Sequence, residues 1–187
     1  MLSEGTLKVT VHSARHLADV EHAGGRNDPY VKLSLAQEEG FAEQETTVKE
    51  NAGAQASWDE TFEFAYNGQS NLYIEVMDKE KGVDELIGFA AIPLDQAPIS
   101  GIFNIFETEG KVAGAVLISI NNDGFEEPVP GRSFIDEEHL ERAKKQNRKA
   151  IAGDVAEVAV ATGAAVGLGL LGKKLFENYQ AKKAGDA

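Results

Sequence analysis

The sequence predicts an all-β protein: an eight-stranded antiparallel β-sandwich with a C-terminal α-helical extension. Three observations carry this. Apolar and polar residues alternate at period two in short runs between residues 7 and 120. Turn-forming residues separate the runs, which favours two antiparallel sheets packed face to face. Beyond Asn121-Asn122-Asp123-Gly124 the pattern changes to Pro and Gly, then to charged residues at helical spacing.

The strands follow in order. Leu7, Val9 and Val11 alternate with Lys8 and Thr10; Val31, Leu33 and Leu35 alternate with Lys32 and Ser34. Residues 43–50 form a weaker strand around the β-branched run Thr46-Thr47-Val48. Phe62, Phe64 and Tyr66 alternate with Glu63 and Ala65, and Leu72, Ile74 and Val76 with Tyr73 and Glu75. A run from Leu86 to Leu94 follows, with Pro93 near its end, where the missing N–H costs little. Ile102–Phe106 and the alternating Val116, Ile118 and Ile120 complete the set. This places a sandwich at residues 1–122, a linker at 123–132 containing Pro128, Pro130 and Gly131, and a helical tail at 133–187. Ser133 followed by Asp136 resembles a capping box ahead of a charged helix running to about Lys149.

The segment 151–172 is rich in Ala, Val and Gly, and carries no charge from Val158 to Gly172. That uncharged run is 15 residues, short of the roughly 20 needed to span a bilayer. Its four glycines would cost a water-exposed helix roughly 4 kcal/mol relative to alanine. The segment is therefore expected to pack against something: a membrane surface, with flanking lysines reaching the head groups, or another helix in self-association.

Composition excludes several classes. With no cysteine there is no disulfide framework, thiol nucleophile or thiolate metal site. The N-terminus enters a strand directly and carries no secretory pattern, so a cytoplasmic location is expected. The formal net charge is −13, and residues 1–122 hold 20 acidic against 8 basic side chains. Such a surface repels phosphate backbones, which argues against nucleic acid. It also repels anionic lipid unless a cation bridges the two. No Ser/His/Asp arrangement or phosphate-cradling loop is legible, so the protein is expected not to be an enzyme. His12 and His16, four apart at a strand end, point to no metal site.

The acidic residues cluster where strands meet loops. Asp28 sits between a glycine-rich loop and the strand Pro29-Tyr30-Val31-Lys32-Leu33, and Pro29 holds it extended. A later loop carries Asp78, Glu80, Asp84 and Glu85 and closes at Ile87-Gly88. Acidic loops on strands in this order read as one apex suited to a hard cation.

These residues resemble the C2 domain family of calcium- and lipid-binding modules. The matching pieces are Gly5-Thr6-Leu7-Lys8-Val9 with Leu17, Asn27-Asp28-Pro29-Tyr30-Val31-Lys32-Leu33, Trp58-Asp59-Glu60-Thr61-Phe62-Glu63-Phe64, and Val76-Met77-Asp78 through Ile87-Gly88. The final strand is similar to that of small single-domain members of fungal type. The strand order resembles the type II permutation, in which the last strand supplies the one missing at the start. The resemblance does not reach residues 123–187. It implies Ca2+ held by Asp28 and Asp78, with Glu80 in place of a second aspartate and Glu85, or Asp84, at the next position. In the first loop Asp19 or Glu21 stands in, with His22 at the strict spacing. Val20 and Val83 are the loop-tip residues for lipid contact, whereas Trp58 and Phe62 read as core anchors. The family's polyphosphoinositide groove is not expected, because Glu38, Glu39, Glu43, Glu45 and Glu50 crowd that region against Lys32 and Lys49.

Two functions follow as expectations. The first is a membrane-targeting module, peripheral to an anionic phospholipid membrane. It binds lipid through weak Ca2+ at the apex, with the C-terminal helix as a second contact or an oligomerisation element. The second is a calcium-independent adaptor or scaffold for a protein partner, as in cytokinesis or membrane trafficking.

Overall fold

A computed structural model describes residues 5–20, 25–36, 43–96, 99–120 and 129–161. The strands are β1 (Gly5–Arg15), β2 (Pro29–Ser34), β3 (Gln44–Glu45), β4 (Ala56–Tyr66), β5 (Asn71–Asp78), β6 (Glu85–Pro93), β7 (Ile99–Phe106), β8 (Val112–Ile120) and β9 (Val129–Pro130). A short 3-10 turn follows β6, and one helix, α1, spans Glu137–Ala161.

The strand order is β3-β2-β5-β6-β7-β8-β1-β4. Two antiparallel four-stranded halves face each other, and among the described residues they pair edge to edge at Phe89↔Phe106 alone. Every strand expected from the alternation is present, although the one at 43–50 shrinks to Gln44–Glu45. The last antiparallel strand, β8, lies beside the first, β1, as a type II order requires.

Leu7, Val9, Val11, Val31, Leu33, Leu72, Ile74, Val76, Ile118 and Ile120 fill the space between the halves. Trp58 joins them, and its indole N–H donates to the Thr47 carbonyl at 2.7 Å. Phe62 is half-buried against the same core. A bulge in the β5–β6 pairing turns Ile87 and Gly88 both inward. A Cβ at Gly88 would lie 2.8 Å from that of Ala113, so only glycine lets the halves close here.

The chain after the sandwich departs from expectation. Residues 129–130, read as linker, pair in parallel with β7. Phe134 exchanges backbone hydrogen bonds with Ala91 at 2.8 and 3.0 Å. Asp136 caps α1, accepting from the amides of Glu138 and His139 at 3.1 Å each. Ser133, expected in the capping role, instead donates to the Asn104 carbonyl at 2.7 Å.

α1 then lies across the outer face of β2, β5 and β6. Ala143 is buried with Tyr30, Met77, Leu86 and Phe89, and Ile135, Leu140 and Val48 pack around them. This second core explains why β6 reads as an unbroken apolar run: a strand covered on both faces has no polar side. The 151–172 segment is described only to Ala161, where it continues α1. Among the described residues, no helix is long and apolar enough to cross a membrane.

Candidate functional site at the loop apex

The Asn27-Asp28-Pro29 step ties three loops together. Asn27 is buried; its amide donates to the Ala18 carbonyl at 2.8 Å and its oxygen accepts from the Val20 amide at 3.2 Å, which fixes the first loop. Asp28 reaches the second loop, where its carboxylate accepts from the Asn51 amide at 2.5 Å. Asn51 takes a left-handed φ of 55°, a conformation that asparagine tolerates. The Gly53 amide then bonds the Asn27 carbonyl at 2.9 Å. Toward the third loop, the Asp28 amide donates to the Asp78 carboxylate at 2.6 Å, and the Lys79 amide to the Asp28 carbonyl at 3.1 Å. Asp78 ends β5 fully buried, opposite Pro29 on one side and Glu85 on the other.

Asp84 is arranged differently. One of its oxygens accepts from the Tyr30 hydroxyl at 2.6 Å and from the Lys79 ammonium at 3.1 Å, and the other from the Glu80 amide at 3.0 Å. Burial alone would raise its pKa, but these donors outweigh burial and hold the carboxyl below its ordinary value. Burial, followed by the bond to Asp84, pushes the Tyr30 phenol far up, so it stays a donor. The Lys79 ammonium also lies 5.9 Å from the centre of the Tyr30 ring.

The structure thus sets Asp28 beside Asp78 through a main-chain hydrogen bond, with Glu80 and Asp84 on the adjoining loop and Glu85 at the start of β6. Asp19 is exposed on the first loop, beside an open cleft lined by Arg26, Asn27, Gly53 and Gln55. Glu21 and His22 fall outside the described residues. Val83 is 40% exposed at the β5–β6 loop, whereas Val20 is half-buried against the main core. Among the described residues no three acidic or histidine side chains converge to hold a metal ion. The donor chemistry suits calcium, which takes six to eight hard oxygens at about 2.3–2.6 Å. To reach that number, Asp84 would have to exchange its lysine for the ion.

Two clusters were not read from the sequence. His12 joins Asp59 through Nδ1 and Ser119 through Nε2, both at 2.8 Å. The order resembles an acyl-transfer relay, but Ser119 lies mid-strand between Thr10 and Ser100, on the sheet's outer face. The second cluster lies beneath α1. Glu75, 3% exposed, accepts from His139 at 3.0 Å and from Arg142 at 2.7 Å. Phe89 and Tyr73 meet the His139 ring edge-on. The alternation of β5 marks Glu75 as an outward residue. It does point outward, but α1 covers it.

A two-halved sandwich with three tied loops at one end defines a C2-type fold. The C2 domain family profile matches residues 5–108, and the chain belongs to that family. A curated relative, the 16 kDa phloem protein 2 of Arabidopsis thaliana, is 33% identical over 127 residues, covering 64% of this chain and 82% of that protein. A calcium-dependent lipid-binding protein of the same plant is 24% identical over 181 residues, covering 89% of this chain, which spans only 34% of that relative. Among solved structures, a C2 domain of plant Extended Synaptotagmin 1 superposes with a TM-score of 0.57 at 24% identity, covering 68% of this chain and all of that one. A C2 domain-containing protein from a putative elicitor-responsive gene gives 0.51 at 27% identity, covering 66% and 93%.

Proposed function

We propose that this protein is a non-enzymatic membrane-targeting module, cytoplasmic and peripheral to anionic phospholipid membranes, that engages lipid through weak Ca2+ binding at the apex. The observation that carries this reading is the hydrogen bond from the Asp28 amide to the Asp78 carboxylate, which sets these two acidic residues side by side at the apex, with Glu80 and Asp84 on the neighbouring turn and Glu85 at the start of β6. Calcium bound there would cancel acidic charge and bridge to lipid phosphate. Asp28 and Asp78 would hold the ion, Asn51 would orient Asp28, and Val83 would meet the acyl boundary. The C-terminal helix is the second membrane contact or a self-association element, and a second weak contact multiplies the first.

The test is vesicle co-sedimentation of the full chain with and without calcium, beside a D28N/D78N variant. Calcium-dependent binding to phosphatidylserine vesicles, lost in the variant, is expected. Equal binding by the variant in calcium would remove the apex from the mechanism.

A second reading, a calcium-independent adaptor or scaffold for a protein partner, draws on one specific observation. Lys79 already supplies a cation to Asp84.

A further inference from the structure

We infer that the outward face of α1 is a calcium-independent contact for an anionic bilayer, made by Lys144, Lys145, Arg148 and Lys149. The inference rests on the membrane reading above and adds a surface, a charge sign and independence from the apex.

His139, Ala143 and Ala150 are buried against the sheet, and Gln146 reaches Met77 from the same side. At about 100° per residue, positions 144, 145, 148 and 149 fall on the opposite side. Their exposure agrees: Lys145, Arg148 and Lys149 are exposed and Lys144 is partly so. Docking therefore aims four cations away from the sandwich. The acidic members of this face are Glu137, Glu138 and Glu141, all in its first part. Glu141 pairs with Lys144 at 2.9 Å and also feels Arg148.

Charge distribution identifies the partner. Residues 1–122 carry 20 acidic and 8 basic side chains, so these four lysines and arginines form a local reversal of sign on an acidic protein. Polyanions include nucleic acid as well as lipid, and the continuation of the chain separates the two. α1 runs on without a break to Ala161, through Ile151, Val155, Val158 and Val160. After the basic turn the sequence to Ala161 carries two charges, Asp154 and Glu157, and is otherwise apolar or small. A basic turn followed by a largely apolar stretch suits a bilayer interface, where cations meet phosphate and apolar residues the acyl boundary. A nucleic acid backbone offers the apolar stretch nothing.

The test is co-sedimentation of the full chain in EGTA with phosphatidylserine/phosphatidylcholine vesicles, phosphatidylcholine vesicles, and a duplex DNA oligonucleotide in a parallel binding assay. Wild type is expected to bind only the anionic vesicles, and to release them as salt rises to about 0.5 M. The K144Q/K145Q/R148Q/K149Q variant is expected to lose at least about tenfold in partitioning, with an unchanged melting temperature. K144R/K145R/K149R should keep it. No binding by wild type in EGTA, undiminished binding by the glutamine variant, or preference for DNA would each overturn the inference. The D28N/D78N variant separates this contact from the apex: it should lose the calcium-dependent increment and retain the EGTA component.

Discussion

Glu75 and Asp78 lie three residues apart on β5, and both are buried, yet the fold compensates them in opposite ways. Glu75 faces α1 and is held by side-chain donors, His139 and the permanently charged Arg142, from a helix more than 60 residues away. Asp78 closes the strand at the apex, and a main-chain amide from the neighbouring loop points at it. The first arrangement neutralises a charge as part of folding. The second leaves a buried carboxylate held by the main chain at the end of the sandwich where the cation site is proposed. Burial alone therefore does not separate the acid that pins α1 from the acid proposed to meet a cation; the donors differ.

The comparison breaks most visibly at Glu75. Glu75→Ala takes the carboxylate from buried His139 and leaves Arg142 its second pair, to Glu43 at 3.3 Å; removing one partner of a buried pair costs about 3–5 kcal/mol. Urea denaturation of the full chain measures this, with the loss concentrated in the α1–sheet contact. The pH dependence follows. Burial pushes the Glu75 carboxyl up, but the His139 hydrogen bond and the Arg142 charge overcome this and hold it below its ordinary 4.5. A lowered folded-state pKa gives stabilisation that is complete above the unfolded value and is lost as pH falls through the folded one. Wild type should thus lose stability progressively below about pH 4.5, and Glu75→Gln should flatten that limb.

How much of this was legible follows from the same pair. Asp78 was readable because a motif surrounds it: the Asn-Asp-Pro step and the acidic loop ending at Ile87-Gly88 recur in a known order. Glu75 was not, because a polar residue in a period-two strand predicts an outward face and says nothing about what covers it. The cover was hard to see as well. α1 docks through His139, Ala143, Gln146 and Ala150, side chains too small or too polar to make an amphipathic stripe. The unbroken apolar run of β6 was the available signal that a second layer existed. Lys79 escaped notice for another reason: between two acidic residues it reads as a solvated charge, and only the fold brings it onto Asp84.

The helix cap sharpens the picture at the next level of effect. Asp136 satisfies two amides at the start of α1, and Asp136→Ala should cost about 1 kcal/mol. Amide exchange should locate that loss in α1 and the outer face of β5 and β6, leaving β1 and β8 protected as before. Asp78→Asn tests the other side of the comparison. Its remaining oxygen can still accept from the Asp28 amide, so stability in EGTA should stay within about 1 kcal/mol of wild type. Equal losses at Glu75→Gln and Asp78→Asn would erase the distinction between the two acids.

The smallest change in stability is expected at Lys79, with the most informative readout. Lys79 is half-exposed, and a pair of that kind contributes about 0.5 kcal/mol or less. Lys79→Met should therefore leave the melting temperature in EGTA nearly unchanged. It also takes the resident cation away from Asp84, leaving the Tyr30 hydroxyl and the Glu80 amide as donors. If Lys79 competes with calcium for that carboxylate, the calcium-induced rise in melting temperature should grow in the variant and the half-saturating calcium concentration should fall. If the lysine is only a surface neighbour, the calcium response will match wild type, and Lys79 is no rival for calcium at Asp84.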